Sequence, residues 1–456
     1  MHRDSLGEVR VPADKYYGAQ TQRAVENFPI SGLRLPRRFI RAQGIIKAAA
    51  ARANRECGEL SPDLADAIIS AAEEVIQGKW DDHFVVDVYQ AGAGTSQNMN
   101  ANEVIAGRAA ELLGGKPGDM SLVHPNDHVN RGQSTNDTIH VAINIAAAEG
   151  LVHECIPAAS ALAGALWKKA EEFHEVLKSG RTHLQDAVPM RLGQEFEGYA
   201  ASLDEAVEDL KKVLPDLYRI GLGGNAVGTG INTHPDYARI AIEDIARRTG
   251  LPFVPARNRF AFMQNTGAAF KTSAALKGLA IRLSKLASDL RLLSSGPRTG
   301  LAEIRLPAVQ PGSSIMPGKV NPVMAEMLNM VCCQVIGNDA AITSAGEMSQ
   351  LEINVMMPVI AHNLLQSIQI LTNGMNAFRK RLVEGIEADP DRCRHWLERS
   401  LALATALNPV IGYDRAAEVA KKAYREGKTI KQVVVEEGLL SEEEADRVLD
   451  VRRMVP

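Results

Sequence analysis

From about residue 138 to 385, apolar side chains recur every three or four positions over long stretches, and short clusters of Gly, Pro and Ser interrupt them. The clearest run is Leu276, Leu279, Leu283, Leu286, Leu290 and Leu293, spaced alternately three and four apart. That spacing predicts a helix packed lengthwise on neighbours along one stripe. Similar runs over 138–178, 190–219, 322–346 and 353–385 complete a predicted set of about five long helices, while strand-like alternation is scarce. Helices of this length present more side surface than one chain covers, so the pattern also predicts an oligomer. Residues 1–135 carry shorter helices and more turns. The segment 389–456 reads as a small helical domain, in which Ser441 and Glu444 have capping-box spacing. The expected fold class is therefore mainly α, in three domains: 1–135, a central long-helix bundle over 136–388, and 389–456.

Composition narrows the partners. The chain has 456 residues, 45% of them hydrophobic, with a formal net charge of −4. No excess of Lys and Arg points to nucleic acid, and the charge is too small to name an acidic or basic partner. The first residues, "MHRDSLGE", are charged rather than apolar, and no run reads as long and apolar enough to span a bilayer. A cytoplasmic protein with no membrane association is expected. Cys57, Cys155, Cys332, Cys333 and Cys393 form no CxxC pair and no regular spacing, which argues against a disulfide framework or a zinc ribbon. Cys332 and Cys333 lie in an apolar helical run and are expected to be buried, inert thiols.

Three motif readings fail, one on spacing and two on context. Gly312 to Lys319 has five residues before its Gly-Lys pair and Val320 after it, where a P-loop needs four and then Ser or Thr. The proline-broken stretch from Leu301 to Gln310 is not the strand such a loop needs. "GLGGNA", Gly221 to Ala226, fits a dinucleotide fingerprint in letters but follows a segment read as helix. His124 and His128 are four apart, but Pro125 lies between them, so a loop with capping side chains is expected rather than a metal site.

Three helix starts share a chemistry. Asn321-Pro322 reads as an N-cap and first helical residue. Lys319 beside it is unfavourable at the positive end of a helix unless an anion is held there. "AGAGTSQNMNANEV" places Thr95 and Ser96 before a helical run, and "QSTNDTIHVA" does the same with Ser134, Thr135, Asn136 and Asp137. Neutral donors with one fixed cation suit a small dicarboxylate. "GRTHLQDAVPM" puts Arg181, Thr182 and His183 in a turn between two long helices, where an imidazole is well placed for proton transfer.

"GSSIMPGKVNP", Gly312 to Pro322, resembles the signature loop of the fumarase and aspartase superfamily. "GAGTSQNMNANEV", "HPNDHVNRGQSTND" and "GRTHLQDAVP" resemble its other blocks in the same order. The likeness runs from "VPADKYYGAQTQRAVENFP" to "ALNPVIGYDRAAEVAKKA". It implies an all-helical lyase fold in three domains, and a homotetramer with a twenty-helix core whose active sites are each shared by three subunits. No cofactor and no metal are implied. The implied reaction is reversible elimination across the C2–C3 bond of a succinyl compound to give fumarate, through an aci-carboxylate. Ser313 is implied as the base, with the loop amides favouring its oxyanion. Lys319 and Asn321 would hold one carboxylate, and Ser134 and Thr135 the other. Thr95, Asn136, Thr182 and His183 would surround the leaving group, with Glu326 orienting His183. His124, Asn126 and Asp127 resemble a second anion site. Thr135, "GAGTS", "DVYQ" and "DAVPM" lean towards aspartate ammonia-lyase, and "THLQ", "HPND" and "ALNPVIGYD" towards class II fumarate hydratase. The expected activity is the ammonia-lyase, with the hydratase as alternative and a catalytically silent binding protein on the same scaffold as a remote one. Retention of Ser313, Lys319, Asn321, His183 and Glu326 speaks against the silent form.

Overall fold

A computed structural model of the chain describes residues 2–116 and 119–455. In chain order its principal elements are helices α1 (Arg37–Glu56), α2 (Pro62–Ile76), α3 (Thr95–Leu112), α4 (Thr135–Gly150) and α5 (Ile156–Glu172), then strands β1 (Leu177–Thr182) and β2 (Gln185–Arg191). Four long helices follow: α6 (Leu192–Leu217), α7 (Gly267–Leu293), α8 (Val323–Glu347) and α9 (Met357–Arg381). The fold is mainly α, and the five long helical runs lie within a few residues of their predicted places. The leucine stripe of α7 is buried, with Leu276, Leu279, Leu283 and Leu290 fully so. Each such side chain removed from water stabilises the fold by about 1.5–3 kcal/mol.

Two expectations about the elements change. A turn of π-helix at Leu151–Cys155 joins α4 to α5, so Thr135–Glu172 is one continuous helix of 38 residues, long and apolar enough to cross a membrane by length and composition. The expectation that no such segment exists is therefore corrected. Of its apolar window 72% is buried inside the chain, as in a core helix of a packed protein. The second change is between α5 and α6, where the predicted helix and turn are replaced by an antiparallel hairpin of β1 and β2. Its strand character was hidden because Lys178 and Arg181 look like solvent-facing residues, and strand propensity depends on what a side chain packs against.

The chain divides into two compact units. One comprises Met1–Pro157, Ala206–Ala280 and Val331–Thr372. Its core includes Ala48, Ile68, Ala72, Val104 and Ile105, and alanines along α1 allow close approach of its neighbours. The other comprises Ala158–Glu205, Ile281–Met330 and Asn373–Pro456. Short helices near its carboxy end enclose Leu397, Leu407, Val419, Ile430 and Val433, and the Ser441–Glu444 capping box forms as expected. Burial pushes the Cys332 thiol up to about 12, whereas Cys333 is exposed on the chain, contrary to expectation. Helical periodicity explains the difference, because adjacent residues on a helix face different directions.

Candidate active site

In the first unit, Ser134 is the N-cap of α4. Its Oγ accepts from the amide of Asn136 (3.2 Å), and its own amide donates to the Asp137 carboxylate (2.9 Å). Asp137 is fully buried and also accepts the amides of Gly223 and Asn225, each at 2.9 Å. "GLGGNA" thus turns its amides towards an internal carboxylate rather than a pyrophosphate. A two-residue strand, Arg219–Ile220, precedes it where helix was expected, but no helix follows until Tyr237. Likewise a two-residue strand, Ile304–Arg305, lies in the Leu301–Gln310 stretch expected to hold none. Asn136 Nδ2 donates to the carbonyl of Ala226 (2.8 Å), fixing the same loop from the other side.

Beneath this helix start lies Lys47, fully buried, with Nζ donating to Asn98 Oδ1 (2.8 Å), Asn130 Oδ1 (3.0 Å) and Gln133 Oε1 (3.0 Å). Asn98 Nδ2 in turn donates to Thr135 Oγ1 (3.2 Å). Burial pulls Lys47 down to about 7 and pushes Asp137 up to about 6, and their mutual attraction opposes both shifts. Ser134, Thr135 and Asn136 therefore stand on a buried polar network that includes Lys47 and Asn98, neither singled out from sequence, and Asp137, named there only as part of the helix start. The signals were present: a lone lysine inside the alanine-rich run "GIIKAAAARAN", and Asp137 three residues after the cap.

Thr95 opens α3 after a tight turn in which Ala93 and Gly94 adopt positive φ (59° and 81°). The turn is held by the Ala93 amide on the carbonyl of Val355 (2.8 Å), leaving Thr95 exposed at the helix start. His124 does cap a turn of its own: its Nδ1 accepts the Asp127 amide at 3.1 Å and lies 3.2 Å from the Asp127 carboxylate. His128 Nδ1 accepts the His124 amide (2.9 Å), and burial lowers the pKa of His128. Asn126 and Asp127 are exposed.

In the second unit, Thr182 pairs with Gln185, so His183 and Leu184 are the two central residues of the hairpin turn. Their φ values are 55° and 59°, the left-handed conformation that Gly and Asn ordinarily supply in such turns. Each carries a backbone strain of about 1–2 kcal/mol, which presents the imidazole at an exposed tip.

The loop Gly312–Pro322 closes on itself. The Gly312 amide donates to the carbonyl of Lys319 (2.8 Å), and Asn321 Nδ2 donates to the carbonyl of Gly312 (2.7 Å). The Asn321 side chain thus ties the loop rather than capping α8, correcting the N-cap expectation. A Cβ on Gly312 would come within 2.6 Å of the Lys319 carbonyl oxygen, so the closure needs glycine there. Inside the loop, Ser313 Oγ accepts the amides of Met316 (3.0 Å) and Ile315 (3.2 Å). Two N–H dipoles aimed at one hydroxyl oxygen favour its anionic form. Lys319 is exposed, and its ammonium has no ion-pair partner among the described residues. Glu326, in the first turn of α8, is half-buried and makes no hydrogen bond or ion pair with His183 among the described residues.

The chain thus brings Ser134, Thr135 and Asn136 together at one helix start, and Ser313, Lys319 and Asn321 together in one loop. It does not pair His183 with Glu326. The arrangement offers a serine oxygen set among amides, a cation beside a helix start, and hydroxyl and amide donors. These are the groups needed to take a proton next to a carboxylate and hold the resulting charge.

Comparison with known proteins agrees with this chemistry. A family described as Lyase matches residues 7–337, and one described as Fumarase C C-terminus matches residues 403–456. A class II fumarate hydratase of Halobacterium salinarum is 55% identical over 99% of this chain and 96% of its own length. An aspartate ammonia-lyase of a Bacillus species is 48% identical over 100% of this chain and 97% of its own. The crystal structure of class II fumarase from Schistosoma mansoni has a TM-score of 0.96 to this fold at 39% identity, covering 99% of this chain and 98% of that one.

Proposed function

Since the chain belongs to the fumarase and aspartase superfamily of lyases, we propose that it catalyses the reversible hydration of fumarate to L-malate, as a class II fumarate hydratase. The observation that carries the chemistry is the pair of loop amides on Ser313 Oγ. In the dehydration direction the Ser313 oxygen takes the C3 proton of malate, and the C–H electron pair passes into the aci-carboxylate. That charge then forms the C2–C3 double bond as the C2 hydroxyl leaves, taking up a proton to depart as water. Lys319 and Asn321 hold the carboxylate on which charge develops, and Ser134 and Thr135 bind the other. Thr95, Asn136, Thr182 and His183 surround the departing oxygen, with Glu326 orienting His183 across a subunit boundary.

Two features support sharing of the site between copies of the chain in a homotetramer. His183 and Glu326 are unpaired with each other within one chain, and apolar side chains of the long helices, among them Ile281, Met330 and Ile336, are exposed on it. Water is preferred to ammonia because the fumarate hydratase name predominates among the similar proteins and goes with the higher identity. This outweighs the lean of Thr135 and "GAGTS" towards the ammonia-lyases. Enzyme added separately to L-malate and to L-aspartate, with fumarate absorbance followed, tests the choice. Fumarate from malate alone is expected, and Ser313→Ala should lower that rate by at least about a thousandfold. Fumarate from aspartate alone overturns the hydratase in favour of the ammonia-lyase, and none from either substrate overturns both.

A further inference from the structure

We propose that Glu303 is a positioning residue that aims the Thr182–His183 turn through a buried ion cluster. The inference rests on the functional reading above, in which His183 stands beside the leaving group. Glu303 is fully buried, and its two carboxylate oxygens lie 2.9 Å from Lys178 Nζ and 2.9 Å from the Arg181 guanidinium. Lys178, itself 1% exposed, also meets the Glu195 carboxylate at 2.7 Å. Two cations and two carboxylates thus form a neutral cluster at the root of the hairpin. The Glu303 contacts are charge pairs by distance without aligned hydrogen bonds.

Geometry says what this cluster does that apolar packing does not. Residues three apart on a regular strand point to opposite faces, yet Lys178 and Arg181 reach the same carboxylate. The hairpin register shifts between Ser179 and Arg181, which adds local twist, and the arginine side chain covers the rest. Apolar packing tolerates small rotations, whereas one carboxylate facing two cations from an irregular strand fixes how far the strand is turned. The residues after Arg181 are Thr182 and His183, so the orientation set at Glu303 passes directly to the exposed tip. Glu303 is anchored in turn: its carbonyl accepts the Asp389 amide (2.9 Å), and the neighbouring Ile304–Arg305 pairs with Glu387–Ala388. The same segment leads on to the loop of Ser313. Glu303 thus ties the root of the hairpin to the Glu387–Asp389 segment.

The test compares Glu303→Gln with wild type in malate dehydration. A fall in kcat of roughly ten- to a hundredfold is expected, with KM changed by less than about threefold, and Glu303→Asp should recover part of the loss. In a His183→Asn background the same substitution should cost less than about twofold, because its effect passes through His183. Removing one partner of a buried pair is strongly destabilising. Arg181→Gln is therefore measured alongside, since that side chain reaches the rim at 15% exposure and its pair is lost without emptying the core. Loss of kcat in Arg181→Gln that vanishes with His183 supports the assignment. A kcat within twofold of wild type in a folded variant, or an equal loss with and without His183, overturns it. Amide exchange at Thr182–Asp186 is read on the same proteins independently of turnover, and unchanged exchange in Glu303→Gln and Arg181→Gln also overturns it. If wild type converts neither malate nor aspartate, the functional reading falls and exchange alone decides whether Glu303 holds the hairpin.

Discussion

His140 lies inside the first unit with Nε2 3.1 Å from the carbonyl oxygen of Met263, an arrangement that requires the neutral ring to donate from Nε2. Burial pulls its pKa down to about 4 from an ordinary value of 6.5. The sign follows from proton counting: between those values the unfolded histidine binds a proton and the folded one does not, so this contribution to stability is full above 6.5 and falls as pH drops towards 4. His140→Gln keeps a donor for Met263 and removes the titration. Between pH 7 and pH 4 the stability difference between variant and wild type should move by about 2–3 kcal/mol in the variant's favour, read from denaturant midpoints. No movement would place the His140 pKa near its unfolded value. The residue scale also shows what sequence chemistry conveys unaided. Ser134 was legible as a cap because caps are local, while Asn321 was misassigned because its amide turns back to Gly312, nine residues earlier. His140 carried no local sign of its burial, whereas Lys47 and Asp137 carried weak ones, in the alanine-rich run and in the capping-box spacing.

At the scale of elements, the long helices were legible because their apolar period is carried by many residues at once, as in the buried leucines of α7. The β1–β2 hairpin was not, for two physical reasons. Its buried positions include Lys178, whose charge is met by Glu195 and by Glu303, distant in sequence, and its turn is His183-Leu184 instead of the Asn-Gly that marks a tight hairpin. Gly180 is the remaining local clue. A Cβ there would lie 2.8 Å from the carbonyl oxygen of Val188 on the facing strand, closer than backbone atoms allow. Gly180→Ala must therefore push the strands apart at the register shift, and a cost of about 1–3 kcal/mol is expected. In the proposed reaction kcat should fall further than KM rises, since the displaced segment carries Thr182 and His183. Chemical denaturation and steady-state kinetics on the same preparation check both, and an unperturbed kcat would show that the tip is set independently of the bulge.

At the scale of the whole molecule, the proposed oligomer rests on excess: more apolar helix surface than one chain covers, with Met330 71% exposed. The symmetry that would cover it is a property of several copies, and one chain's periodicity does not encode it. The pairing of His183 with Glu326, implied by resemblance and not formed within the chain, is the feature an assembly would supply. Complementation tests this directly. His183→Asn and Ser313→Ala variants are each expected to be nearly inactive alone. If every site takes its histidine and its serine from different copies, co-expressed variants that mix at random contain a wild-type pair at about one quarter of their sites. Malate dehydration should then recover to about that fraction, while mixing the purified variants without subunit exchange recovers nothing. If both residues of a site came from one chain, every site in the mixture would lack one of them and activity would stay at the level of the separate variants. The outcome depends on where His183 and Ser313 meet and not on how strongly either contributes, because a site either regains both wild-type residues or lacks at least one.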